Sequence, residues 1–189
     1  ASLFALDLDA PLHEQYFGYM VGLVQGDLGT SLRSPGTSVL SIIVKFLPWT
    51  IFSVGMGLLI SFTLGMTLGM LTAYYRDSFW EPILSGLGSL LSSIPDYIIG
   101  ILLLVYLGVR WELVPIHDMR GSSTPGIDPG FTWVFIKDIF FHASLPIATY
   151  VLATFGRWML TMKSNTISTL GEDYVTVARA RGLSEGRIA

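Results

Sequence analysis

The chain has 189 residues, 51% of them hydrophobic and 13% charged, where a soluble domain usually carries about a quarter charged residues. A mean hydropathy of +0.60, with five Trp and eleven Phe, places it among membrane proteins. The net charge of −3 is too small to point to nucleic acid or acidic lipid, and with no cysteine the chain offers no disulfide, thiolate nucleophile or Cys-ligated metal.

At the amino end, Ala1 is not an initiator Met, and Ala1–Ala10 has neither the basic flank nor the apolar core of a signal peptide. Arg187-Ile188-Ala189 stops within a charged, helix-like stretch without a capping or breaking signal, so the expectation is a fragment cut at both ends. Pro11–Gln25 places Leu12, Tyr16, Tyr19, Met20 and Leu23 at helical spacing but is too short and too polar to span. Gly26-Asp27-Leu28-Gly29-Thr30-Ser31 follows as a turn-rich element, so residues 1–45 read as a surface helix and loop outside the membrane core.

Phe46–Tyr75 contains no charge and exceeds the roughly 20 apolar residues that a bilayer crossing needs. Pro48 is expected in the first turn, where its missing N–H costs nothing. Small residues recur every four positions at Ser53, Gly57, Ser61, Gly65, Gly69 and Ala73. In lipid, such a ridge lets backbones approach closely, so Gly57, Ser61, Gly65 and Gly69 are expected at a helix–helix contact.

Pro82–Val109 carries one charge, Asp96. Pro95 breaks a continuous helix there, and Ser93-Ile94-Pro95-Asp96 has the spacing of a capping box. The expectation is an interfacial helix over 80–92 and a second span over 94–109. Trp111–Pro129 is polar, Gly/Pro-rich and aperiodic, an exposed loop; aromatic Trp133–Phe141, with Lys137 and Asp138, suits the headgroup level. A third span is expected over 143–162, with Pro146 in its first turn and Arg157 snorkelling from its far end.

With three spans, Arg76, Lys163, Arg179, Arg181 and Arg187 fall on one side and Arg33, Lys45, Arg110, Arg120 and Lys137 on the other, so basic-residue counts leave the orientation open. No Walker-type phosphate loop, nucleophile elbow or metal-ligand spacing occurs, and His13, His117 and His142 are far apart. Energy for any active transport must come from another chain.

Two stretches carry a resemblance. Gly171-Glu172-Asp173-Tyr174-Val175-Thr176-Val177-Ala178-Arg179-Ala180-Arg181-Gly182-Leu183-Ser184-Glu185 resembles the Glu-Ala-Ala loop of binding-protein-dependent ABC importer permeases, in the version of dipeptide, oligopeptide and nickel permeases. Leu6–Pro11 through Gln15-Tyr16, then Gln25–Ser31, is similar to the segment after the first transmembrane helix of that family; Ser93–Tyr97 and Ser144-Leu145-Pro146 follow in the family's order.

The resemblance implies an all-α, polytopic transmembrane bundle of the type I ABC importer permease fold, truncated at the carboxyl end and lacking the family's first and last helices. It also implies a non-catalytic translocation subunit in a bacterial inner membrane that imports peptides or related solutes. ATP and Mg would sit on partner subunits, with no cofactor or metal on this chain. The implied partners are ATPase subunits, a second permease, an external solute-binding protein and the bilayer, with no nucleic acid. Residues 1–45 would face the periplasm.

Residues 171–185 would form a cytoplasmic coupling loop that docks on the ATPase through Asp173, Tyr174, Thr176, Ala178, Arg179, Ala180, Arg181, Gly182 and Leu183. The Glu-Ala-Ala positions fall on Thr176, Val177 and Ala178, so the family's acid is absent here. Independently of the resemblance, acids at the start and arginines at the end of Glu172–Arg181 complement a helix dipole, and Gly182 suits a left-handed cap. The alternative reading is an ATP-independent channel or secondary carrier, for which Asp96 is the one intramembrane acid.

Overall fold

A computed structural model describes residues 11–31 and 33–188; Leu6–Ala10 of the amino-terminal motif, with the rest of residues 1–10, Leu32 and Ala189, lies outside them. The chain divides into two units, residues 1–52 and 53–189. Among the described residues there is no strand beyond an isolated antiparallel bridge between Thr30 and Ser38.

In the first unit, α1 (Leu12–Val24) buries none of its residues. A tied loop follows. The Asp27 carboxylate accepts from the Gly29 N–H at 2.9 Å, Ser31 N–H donates to the Thr37 carbonyl at 2.8 Å, and Val39 N–H donates to the Gly29 carbonyl at 3.0 Å. These bonds satisfy the turn's own polar groups and deliver the chain straight into α2 (Val39–Tyr74).

The helix α2 starts seven residues before the uncharged run, because a charge such as Lys45 ends an apolar pattern without ending an intrahelical hydrogen-bond ladder. Pro48 therefore lies inside the helix and not in its first turn, and the carbonyl of Val44 loses its ladder partner there.

In the second unit, α3 (Trp80–Ser93) leads to α4 (Asp96–Leu103), which continues as a π-helical stretch over Leu104–Arg110. Trp111 N–H donates to the Tyr106 carbonyl five residues back, the wide spacing that defines this winding. The two arms bend by 101° at Ser93–Pro95. Asp96–Arg110 rises at most about 23 Å, less than the hydrocarbon core's thickness of about 30 Å. A full middle crossing therefore needs α3 and α4 together, and among the described residues only Val39–Tyr74 and Trp133–Leu170 are long and apolar enough alone.

The helix α5 runs unbroken from Trp133 to Leu170. Thr132 starts it by accepting the Phe135 N–H on its hydroxyl at 3.3 Å. Its start precedes the expected span by ten residues, so Pro146 is interior as well, and the aromatic Trp133–Phe141 stretch is the helix's own first turns. Asp138 accepts from both the backbone N–H (2.9 Å) and the hydroxyl (2.6 Å) of Thr124, which pins the preceding loop to this end. The chain ends in α6 (Asp173–Ala180) and α7 (Glu185–Ile188).

Candidate functional site

The buried side of α2 within Ser53–Tyr74 consists of Ser53, Gly57, Ser61, Gly65, Gly69, Thr72 and Ala73. The outward side carries Leu58, Leu59, Phe62, Leu64, Met70 and Leu71, which suits a lipid solvent as apolar as they are. The buried ridge meets α5. A Cβ on Gly57 would lie 3.0–3.2 Å from Tyr150, one on Gly65 2.8 Å from the Phe155 carbonyl, and one on Gly69 2.5 Å from the Met159 carbonyl. Backbone therefore lies on backbone at Gly65 and Gly69, a distance that no side chain permits.

Between these contacts, Ser61 and Thr154 bring their hydroxyls to 2.6 Å in a buried position. Thr154 commits its one proton to the Tyr150 carbonyl at 2.7 Å, so Ser61 is the donor of the pair. Phe62 closes the flank, its ring edge-on to Trp158 with centroids 5.2 Å apart.

The other side of α5 receives α3 and α4. A Cβ on Gly156 would lie 2.7 Å from the Ser92 hydroxyl and 2.8 Å from the Gly88 carbonyl carbon, and one on Gly88 would meet the Met159 methyl at 2.5 Å. Further along, Gly100 sits on Thr149. Sequence reading missed Gly88, Gly100 and Gly156. For Gly88 a signal is present, since Ser85, Gly88, Ser89, Ser92 and Ser93 recur at helical spacing along α3; Gly100 lies in α4 and Gly156 in α5, outside that series. Met159, fully buried, fills the space between the three helices.

Near the α6 end of α5, Lys163 donates to the Glu81 carboxylate and to the Ser85 hydroxyl (2.9 Å), while Ser85 donates to Glu81 at 2.7 Å. The side chains of Lys163 and Glu81 are mostly buried, at 22% and 15% exposure. In the sequence Lys163 is one charge among a basic group, with nothing to mark Glu81 as its partner.

At the break, the capping box is not made. Ser93 is the last residue of α3, and its hydroxyl donates to the Ser89 carbonyl at 2.8 Å. Pro95 occupies the N-cap position of α4 without a side-chain cap, and Asp96 is an exposed first-turn residue. The spacing matches, but Ser93 belongs to α3 and its hydroxyl is turned back along that helix, away from the start of α4. What turns the chain is Pro95, whose ring excludes helical geometry at Ile94, extended at ψ 129°.

The carboxyl-terminal segment is ordered by its backbone. Glu172 N–H donates to the Thr169 carbonyl at 3.1 Å, so only Gly171-Glu172 separates α5 from α6. Asp173 lies in the first turn of α6 and Arg179 in the last, complementing the dipole. Leu183 N–H donates to the Ala178 carbonyl (3.2 Å) and Gly182 N–H to the Arg179 carbonyl (2.9 Å), with Gly182 at φ +78°; this is a Schellman cap. Val175 is buried, Ala178 is half-buried, and Tyr174, Thr176, Val177, Arg179, Ala180 and Arg181 are exposed. Leu183 is half-buried.

A cavity of about 750 Å³ lies beside this segment, lined by Tyr74, Arg76, Leu170 and Arg179 among others. No group of three or more His, Asp or Glu residues that could hold a metal occurs among the described residues.

The family described as binding-protein-dependent transport system inner membrane component matches residues 65–189. The dipeptide transport system permease protein DppB of Lactococcus lactis is 31% identical over 184 residues, covering 97% of this chain and 55% of the relative. DppB of Escherichia coli K12 is 30% identical over 207 residues, covering 98% of this chain and 58% of the relative. A Brucella suis protein provisionally named a peptide permease is 33% identical over 180 residues. The chain spans about half the length of the curated relatives it matches.

Proposed function

The chain belongs to the family of binding-protein-dependent transport system inner membrane components, and on that premise we propose that it is the transmembrane translocation part of an ATP-driven importer of peptides or related small solutes. In this reading the chain hydrolyses nothing itself. ATP and Mg are held by separate ATPase subunits, a second permease completes the pathway, and an external binding protein delivers the solute. Residues 1–45 face the exterior and residues 164–189 the cytoplasm. Asp173–Leu183 is the surface on which an ATPase subunit docks.

The observation that carries the proposal is the capped α6 joined by two residues to a 38-residue apolar helix. A short rigid helix so attached passes a push from a docked partner into the membrane, whereas a slack loop would absorb it. A channel or secondary carrier is not favoured. Of the acids in the middle crossing, Asp96 is exposed at a helix start, and Glu81 is paired with Lys163 and Ser85.

The test uses the full-length permease with its candidate ATPase. Copurification of the two and ATP-dependent peptide uptake into vesicles is the expected result. Uptake that persists without ATP would overturn the assignment. Single cysteines at Ser31 and Ser184, placed freely in a cysteine-free chain, are expected to react with an impermeant reagent from opposite sides.

A further inference from the structure

The helix α5 touches α3 in two different ways. At Gly88 and Gly156 the contact is backbone on backbone, with Met159 beside it. Such a contact fixes how close the helices come but has no direction, since neighbouring backbone presents much the same surface to a sliding glycine. At Lys163 the contact is directional. One ammonium reaches two acceptors, Glu81 and Ser85, one helical turn apart on α3, and those two acceptors are themselves bonded.

A sliding or rolling motion of α5 against α3 must break this set, leaving charges that have little water to replace it. The backbone of Lys163 is also what α2 meets. A Cβ on Gly69 would lie 3.1 Å from the Lys163 nitrogen, so three helices converge on this residue. Toward the carboxyl end, α5 continues from Lys163 to Leu170 without a break and passes through Gly171-Glu172 into α6. Toward the other end of α3, the chain turns at Pro95 into α4.

We propose that Lys163 is a positioning residue for coupling: with Glu81 and Ser85 it locks α3 to α5 in register, so that displacement of α6 carries α3 and the Ser93–Pro95 bend with it. The proposal rests on the importer reading above, and it assigns the path by which that importer's drive reaches the bent pair α3–α4.

The experiment uses the full-length permease assembled with its ATPase in proteoliposomes, measuring peptide uptake, ATP hydrolysis and their ratio. Glu81→Gln keeps size and hydrogen-bonding capacity while removing the charge, and Lys163→Met keeps the stem. Each is expected to assemble and hydrolyse ATP within about twofold of the unaltered complex while the peptide imported per ATP falls by about tenfold or more. Lys163→Arg and the exchange variant Glu81→Lys with Lys163→Glu are expected to recover most of that ratio.

An unchanged ratio in Glu81→Gln and Lys163→Met would overturn the proposal. So would a loss of assembly common to all four variants, which would make the set a folding element only. If the unaltered complex itself imported without ATP, the importer reading would fall first, and that result is distinct from either of these.

Discussion

Gly156 of α5 rests directly on the backbone of Gly88 in α3, so close that a Cβ on Gly156 would lie 2.8 Å from the Gly88 carbonyl carbon. Gly86, two residues from Gly88 on the same helix, has open space where its Cβ would be. Gly156→Ala should lower unfolding stability in detergent by about 1–3 kcal/mol through overpacking. Gly86→Ala should raise it by roughly 0.5–1 kcal/mol, because alanine loses less backbone freedom in a helix. Thermal unfolding of the two variants side by side checks the contrast, and equal effects would mean that α3 and α5 do not meet in this register.

A second expectation concerns α2 and α5. Gly65→Leu must displace the Phe155 carbonyl, the Trp158 Cβ and the Met159 backbone nitrogen, so folded yield and assembly should fall sharply. Gly55→Leu, where nothing lies within 4 Å, should be tolerated. Ser61→Ala removes one interhelical donor and should cost only about 0.6 kcal/mol, the usual worth of such bonds between membrane helices. Chemical denaturation with an internal fluorophore such as Trp158 reads all three.

Asp96 gives a third. With no cap bond to lose, its contribution reduces to a charge near the start of α4, worth roughly 0.3–1 kcal/mol. Asp96→Asn and Asp96→Leu should therefore both retain peptide uptake. Loss of uptake in both would instead favour a proton-coupled carrier.

The fourth bears on docking. Gly182→Val forces a β-branched residue into the left-handed region, at a cost of about 1–2 kcal/mol or more, and should unmake the cap that directs the chain out of α6. Ala178→Trp enlarges a half-buried position of the same helix. Both should leave membrane insertion intact and abolish ATP-dependent uptake. Normal uptake and ATPase binding in both variants would remove the docking surface from consideration.

The two long helices, the bend at Pro95 and the glycine after α6 could be read from residues alone because each has a local cause: an uncharged run, a missing N–H, a φ that only glycine takes easily. Helix ends were less legible. Lys45 and Lys137 mark where apolarity stops, and both α2 and α5 run past them because hydrogen bonding within a helix does not depend on hydropathy. The capping box fails because Ser93 ends α3, where its hydroxyl turns back to the Ser89 carbonyl, and the residue at the N-cap of α4 is Pro95. Pairings were the least legible. The four-residue recurrence along α2 names a face but no partner, and nothing in the spacing of Glu81 and Lys163 indicates that they meet. That contact exists only once α3 and α5 are laid against each other.

The Schellman cap of α6 is made almost wholly of main-chain atoms, its donors being the amides of Gly182 and Leu183 and its acceptors the carbonyls of Arg179 and Ala178. The direction in which the chain leaves the helix is thus set without the side chains that α6 presents outward. Tyr174, Thr176, Val177 and Arg181 are exposed, and replacing any of them alters what a partner meets while the turn beneath stays as it is. On the docking reading proposed above, shape and recognition are held by different atoms, and a change of outward side chain leaves the turn unaltered.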